Sequence, residues 1–479
     1  MKVFDTLAGQ KKEFKPKGKT VTMYVCGVTV YDECHIGHAM SYVIFDAIRR
    51  YLEYKGYKVK HVQNFTDIDD KIINRANQLG ISSSELAEKY IDEYFRDMDA
   101  LNIMRAHVYP RATEEIPKII EVIQGLIDKG CAYEADSSVY FRVRNFPGYG
   151  KLSRQDLDDM ISRGSAEEGE KEYPLDFALW KAAKPGEPFW PSPWGQGRPG
   201  WHIECRAMAL KYLGKTLDIH GGGQDLIFPH HENEITQSES FTGVEPFVRH
   251  WLHNGLLQLG ENKMSKSLGN LITVKQALGQ FSPDALRLFI LSSHYRSPLT
   301  YSEEIVRASE SGMQRLRQAV RDGGKAGGKS LDAGPYRGRF TASMDDDFNT
   351  AQALAALFEL AREINRGREE KCDVAASQNS LREMAGVLGF TLEEPIKPQL
   401  DGKPFADLLK ELSQKFDKVP AYDAGMAAEQ LIQRLIEARE ELRKARQWQL
   451  ADVIRQRLSG LGIALEDAPQ GTIWKRILF

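Results

Sequence analysis

The 479-residue sequence predicts an α/β protein: a parallel-sheet domain, interrupted by an insertion and followed by a mostly α-helical half. Three observations predict it. A strand–helix–strand pattern lies near the start, a second α/β stretch resumes near Trp201, and helical periodicity dominates beyond Tyr301. At roughly 150 residues per domain, the length implies about three domains.

Thr20–Val25 (TVTMYV) is β-branched and aromatic, as a short strand should be. The loop Cys26–His38 follows. Val43, Ile44, Ala47, Ile48, Tyr51 and Leu52 then recur at helical spacing. Gly56 ends the helix, and Lys58–Gln63 (KVKHVQ) returns as a strand, completing a βαβ unit and hence a parallel sheet. Residues 1–115 are read as the first half of this domain and 196–250 as the second. Between them, 116–195 mixes short helices, hairpin-like pieces and a Pro- and Trp-rich stretch at its end, which reads as an insertion. Segment 251–310 carries the polar loop Glu261–Gly269. Ser282 and Pro283 then start a helix running to Leu291, with Ser as cap and Pro at the first helical position. Helices are predicted over 302–321, 346–369 and 378–388, with a Gly/Lys linker at 322–330, in the segment ending at 404. The last segment, 405–479, should hold helices at 405–415 and 425–460 and an aromatic, basic tail.

Composition excludes several classes. Hydrophobic residues make up 42% and charged residues 27%, with a net charge of −3, as in an ordinary globular protein rather than a polycation. The longest apolar runs, such as Leu286–Leu291, fall far short of the ~20 residues of a membrane span, so no membrane partner is expected. The N-terminus lacks the apolar stretch of a secretory signal. Five Cys fit a reducing, cytoplasmic setting in which thiols serve as ligands, nucleophiles or packing residues.

Two motifs point to phosphate. His35-Ile-Gly-His38 sits at a strand-to-helix junction, where a helix N-terminus favours anions, Gly37 lets a ligand approach the backbone, and the imidazoles can donate. Lys263-Met-Ser-Lys-Ser267 offers two ammonium groups and hydroxyls within one loop. A third match, Gly323–Ser330, follows an Arg-rich helix rather than a strand, and reads as linker. Candidate metal donors are Cys26, Cys34, His202, Cys205, His230, His231, Glu232 and Glu234. His230 and Glu234, at i and i+4, would share one face of a helix beginning at Pro229. A set of Cys, His and Glu suits Zn²⁺.

His35–His38 and Lys263–Ser267, in this order and separated by a second α/β half, resemble the two nucleotide motifs of class I aminoacyl-tRNA synthetases. Tyr24–His38, Asn64–Ile73, Gly200–Cys205, His220–Glu234 and Lys263–Asn270 are similar to the cysteinyl-tRNA synthetase family in particular. Two positions depart from it: Val28 replaces a usual Pro, and Met40 a common basic residue. The resemblance implies a Rossmann-like catalytic domain, a stem-contact segment at 251–310, a helical bundle at 311–404 and an anticodon-binding region at 405–479. It implies activation of L-cysteine by ATP with Mg²⁺, followed by transfer to tRNA(Cys). Cys26, Cys205, His230 and Glu234 would hold one Zn²⁺ that selects the substrate thiolate, leaving Cys34 and His231 outside the ligand set. His35, Gly37, His38, Lys263 and Lys266 would serve the phosphates. Gly222, Gly223 and Asp225 would meet adenosine, and Thr66, Trp201 and His220 would line the cysteine pocket. Trp474, Lys475 and Arg476 would contact tRNA, and the chain is expected to act as a monomer. The alternatives are a ligase joining cysteine to an amino sugar, and a catalytically silent paralogue that binds only RNA or metal.

Overall fold

The computed structural model describes residues 1–156, 171–259, 262–263, 271–321, 329–394, 400–415, 419–423, 425–468 and 471–476. Its described elements, in order, are β1 (Lys2–Asp5), β2 (Gln10–Glu13), β3 (Thr20–Val25), α1 (Ile36–Tyr54), β4 (Lys58–Gln63), α2 (Asp70–Leu79), α3 (Ser83–Ala100) and α4 (Ile116–Asp128). Next come β5 (Ala132–Ala135), β6 (Ser138–Phe141), β7 (Phe177–Ala182), β8 (Gly197–Pro199), α5 (Trp201–Leu213), β9 (Leu217–Gly223), α6 (Glu232–Thr242) and β10 (Val248–Asn254).

The central sheet has the order β10-β9-β3-β4, and every neighbouring pair is parallel. β3 and β4 have the bounds that the sequence predicts. Strands β3, β9 and β10 are almost wholly buried, which accounts for apolar runs rather than alternation. From β3 the chain continues to β4 on one side, whereas β9 and β10 lie on the other. The carboxyl ends of β3 and β9 therefore flank the point where strand order reverses, the usual place for a ligand in an open α/β sheet.

The insertion is a separate antiparallel sheet, β5-β6-β7-β8, packed with α4 around Val139, Phe141, Leu179 and Trp180. Its last strand ends at Pro199, slightly beyond the predicted limit of 195. Two further hairpins were not legible: β1 pairs with β2 at the N-terminus, and β14 (Ile463–Ala468) pairs with β15 (Gly471–Arg476) in the tail.

Beyond β10 lie β11 (Leu257–Leu259), β12 (Asn262–Lys263), α7 (Val274–Gln280), α8 (Pro283–Leu291) and β13 (Leu299–Tyr301). The helical half comprises α9 (Glu303–Val320), α10 (Gly334–Asp345), α11 (Thr350–Glu369), α12 (Ala375–Val387), α13 (Lys403–Lys415), α14 (Ala428–Lys444) and α15 (Trp448–Gly460). The helix α10 is an addition to the prediction: Gly334-Pro335 opens it rather than marking a linker, as Pro does at a first helical turn. The predicted helix over 425–460 is two helices, because Arg446 adopts a left-handed backbone between them. Most of the linker at 322–330 lies outside the described residues.

The chain divides into two compact units. The first comprises Met1–Lys275 and Pro283–Leu392, the second Gln276–Ser282 and Glu393–Phe479. The second has its own core, built on Leu409, Leu431, Leu435, Ile454 and Ile463. In the first, Arg287 of α8 is fully buried. It donates to the carbonyls of Leu101 (3.0 Å) and Leu388 (2.8 Å) and pairs with Asp46 of α1. One guanidinium thus ties α1, the end of α3 and the end of α12. We predict that Arg287→Met lowers the stability of this unit by about 3 kcal/mol, the low end for a broken buried pair because Arg50 still faces Asp46. Urea unfolding with and without the substitution measures it.

Candidate active site and metal centre

α1 starts at His35, where a β-region residue caps the helix. His38 N donates to His35 Nδ1 and His35 N donates to His38 Nδ1, a reciprocal capping box built from imidazoles. The two rings stack with centroids 3.7 Å apart and planes 20° apart. Both Nδ1 atoms being acceptors, each neutral ring carries its proton on Nε2, the donor that a phosphate oxygen needs. Burial and the neighbouring His35 hold His38 neutral, well below the usual imidazole range. Gly37 has a local reason beyond ligand approach: a Cβ there would come 2.9 Å from the His35 ring.

The carboxyl ends of β3 and β9 lie side by side, with Cys26 N donating to Gly221 O at 3.1 Å. Gly221 must be glycine, since a Cβ would stand 2.2 Å from the Phe45 ring of α1. Gly222 and Gly223 finish β9. Asp225 follows in an exposed 3₁₀ turn, Gln224–Leu226. Lys263 lies on β12, paired with β11 through backbone contacts. Lys266 lies outside the described residues.

Cys26, His230, His231 and Glu234, all buried, present donor atoms within 4.8 Å of one another. His230 and His231 sit in a turn, Ile227–His231, kinked at the extended Phe228, that leads into α6, and Glu234 lies in the first turn of α6. His230 Nε2 is 3.1 Å from Glu234 Oε1, as i,i+4 spacing predicts. Cys205, on α5, brings its sulfur to 4.0 Å from that of Cys26. This is far beyond a disulfide bond. It is close to the ~3.8 Å separating two thiolates on one tetrahedral Zn²⁺ with Zn–S near ~2.3 Å. The four predicted ligands thus converge, and their S, S, N and O donors fit Zn²⁺ in type as well as position.

The electrostatics treat the donors unequally. The hydrogen bond from Cys26 lowers the Cys205 thiol to about 6 against its own burial, whereas burial and Cys205 push the Cys26 thiol up. Burial opposes charge on Glu234, but His220 and His230 hold it at about 2. At His230, by contrast, burial is outweighed by Cys205 and Glu234, which raise the imidazole to about 10, so its Nε2 would have to give up a proton to bind a metal.

The sequence reading set His231 outside the ligands. The structure brings its Nε2 to 3.2 Å from Cys26 Sγ. A chain of hydrogen bonds fixes its tautomer. The hydroxyl of Thr6 donates to Trp251 O (3.1 Å), so it accepts from His253 Nδ1 (2.8 Å). His253 Nε2 must then accept from His231 Nδ1 (2.8 Å), which turns the His231 Nε2 lone pair toward Cys26. His253 and Thr6 escaped the sequence reading, because they come from β10 and the N-terminal hairpin and form no local motif.

Around the cluster, the Trp201 ring stacks on His230 at 4.4 Å and is 38% exposed. His220 is fully buried, stacks on Trp251 at 4.7 Å and donates from Nε2 to Glu234 Oε2 at 2.9 Å. Thr66 is buried and donates to Glu204 Oε2 at 2.8 Å. Of the three residues expected to line the cysteine pocket, Trp201 alone is open. Val28 and Met40 are both buried, so Met40 replaces a basic side chain at a packed position. Cys34 is buried, and Cys131 packs partly against the core of the insertion. In the second unit, Trp474 is half-buried against the core rather than free on the surface, and Lys475 and Arg476 are neighbours on β15. Arg439, one of the basic residues on α14, is buried.

The model of the tRNA synthetases class I (C) catalytic domain matches residues 13–311, and that of the DALR domain matches residues 339–393. The cysteine–tRNA ligase of Dehalococcoides mccartyi is 57% identical over 99% of this chain and 99% of its own. That of Thermodesulfovibrio yellowstonii is 49% identical, again over 99% of each. The solved structure of Mycobacterium tuberculosis methionyl-tRNA synthetase in complex with methionyl-adenylate shares the fold, with a TM-score of 0.57 at 17% identity over 78% of this chain and 90% of that one. With its catalytic domain matched over residues 13–311 and 57% and 49% identity to these ligases across nearly all of its length, the chain is a class I tRNA synthetase of the cysteine–tRNA ligase family.

Proposed function

We propose that the chain charges tRNA(Cys) with L-cysteine in two steps. A carboxylate oxygen of cysteine first bonds to the α-phosphorus of Mg²⁺-bound ATP, the bond to the β-phosphate bridge breaks, and pyrophosphate leaves. A terminal ribose hydroxyl of the tRNA then attacks the carbonyl carbon of cysteinyl-adenylate, releasing AMP and a proton. The observation that carries this reading is the meeting of Cys26, Cys205, His230 and Glu234 beside the paired imidazoles that start α1.

His35 and His38 direct Nε2–H donors at phosphate oxygens and share the positive end of α1. Lys263 and Lys266 add point charges on the same polyphosphate. Gly222 and Gly223 admit the adenosine close to the backbone, and Asp225 accepts from a ribose hydroxyl. Zn²⁺, one per chain, on Cys26, Cys205, His230 and Glu234 would supply a soft Lewis acid for the substrate sulfur. Trp201 covers the open side of the cysteine site. Thr66 and His220 hold its walls through Glu204 and Glu234. Trp474, Lys475 and Arg476, in the region 405–479, contact unpaired tRNA bases and phosphates. The chain works as a monomer in the cytoplasm.

Zinc quantification, together with pyrophosphate exchange across the twenty amino acids, tests the whole reading: one zinc per chain and exchange with cysteine alone are expected. Exchange without charging of total tRNA would favour an amino-sugar ligase.

Three variants separate the parts. Cys205→Ser should lose the metal and weaken cysteine activation, leaving the KM for ATP unchanged. Normal discrimination by a metal-free Cys205→Ser would refute the zinc assignment. Gly37→Ala pushes the His35 ring off His38 and should cut the exchange rate by about 10²–10³, the cost of one lost charge-stabilising donor. The double variant Lys475→Ala/Arg476→Ala should raise the KM for tRNA in charging assays while sparing exchange.

A further inference from the structure

Arg206 follows Cys205 on α5 and is fully buried. Among the described residues, its Nε, Nη1 and Nη2 have no hydrogen-bond partner. The guanidinium lies over the Phe247 ring, 5.1 Å from its centroid. Phe247 packs edge-on against His220 at 6.1 Å and against Trp251 at 6.0 Å. The cation is thus one ring away from the imidazole that donates to Glu234. A guanidinium keeps its proton at any physiological pH, so the group is a fixed cation.

Packing does not account for it. Met would fill similar volume without taking a charge out of water, and such replacements of buried charge are commonly neutral or stabilising. The contact with Phe247 offsets only part of the desolvation cost. What Arg206 brings that Met does not is fixed positive charge. The proposed ligands supply two thiolates and a carboxylate to one divalent cation, leaving a net negative charge in a buried site. A substrate sulfur arriving as thiolate adds another.

We propose that Arg206 is a positioning residue for the metal centre: its buried positive charge balances the excess negative charge of the ligand set and of the incoming thiolate, without touching either metal or substrate. This rests on the zinc reading above.

The test uses full-length wild type, R206M and R206K. Zinc affinity is measured by chelator competition, thermal unfolding is followed before and after zinc addition, and exchange kinetics are taken for cysteine and ATP. R206M should bind zinc about 10–100-fold more weakly, the usual loss when a group supporting the ligands is removed. R206K should recover most of that affinity. Chelator-treated R206M should unfold at a higher temperature than chelator-treated wild type but gain less from zinc, and its KM for cysteine should rise while that for ATP does not. Equal zinc affinity in R206M and wild type would overturn the inference and make Arg206 a packing residue. Should R206M not fold, the neutral, polar R206Q replaces it and must show the same loss; wild-type affinity there overturns the inference equally. A wild-type chain that binds no zinc would overturn both readings, whereas zinc-binding wild type with an indifferent neutral variant overturns this one alone.

Discussion

Glu234 has no exposed surface, yet its carboxylate is held ionised because each oxygen faces an imidazole: Oε2 that of His220 and Oε1 that of His230. Left unpaired, such a buried charge would cost several kcal/mol or take up a proton. The pairing therefore sets the spacing between the middle of β9, which carries His220, and the turn before α6, which carries His230. Cys26 is on the next strand, hydrogen-bonded to β9, and Cys205 is on the helix packed against α6. None of these elements can slide without exposing a charge to a low-dielectric interior. The same constraint orients α6 and keeps all four donors pointing at one spot before any ion arrives.

Cysteine poses a demanding recognition problem. Serine has oxygen in place of sulfur and almost the same shape, and a pocket relying on shape separates such analogues by only about 10–200-fold. Chemistry separates them better, because a thiol ionises far more readily than a hydroxyl and is the softer ligand. The cluster suits that chemistry: its own thiols are ligand-type, and Cys205 is already shifted toward thiolate.

Local pattern carried much of the fold. β3, β4 and α8 have predicted bounds because a β-branched run, a Gly stop and a Ser-Pro cap act within a few residues. The hairpin β1–β2 escaped because Gln10–Glu13 is wholly exposed and shows no alternation. Its position depends on Asp347, which accepts from Phe4 N across most of the chain and is itself held by Tyr295 Oη and Arg296 Nε. At the site, His230 and Glu234 were legible through helical spacing. The contact of His231 with Cys26, the relay through His253 and Thr6, and the buried state of Arg206 were not, because each is created by strands and helices distant in sequence. Likewise, the partial burial of Trp474 has no local signal, because it arises when β15 pairs with β14 and turns that ring toward a core.

The insertion can be assigned a mechanical role on the same grounds. Ile203 and Ala207, at i and i+4 on α5, pack into the core of the insertion, while Cys205, Met208 and Ala209 face the catalytic core. The helix is apolar on both sides, as expected of one clamped between two layers. At the other flank, Leu152 N and Ser153 N donate to Glu232, Tyr149 donates to Asn233, and Lys151 pairs with Glu239, all on α6. The insertion therefore grips both helices that deliver donors to the cluster, α5 through apolar packing and α6 through its polar edge. Buried donors need rigid backing to stay within reach of one ion, and residues that buttress ligands influence metal affinity nearly as much as the ligands do. The antiparallel sheet supplies that backing from outside the parallel one.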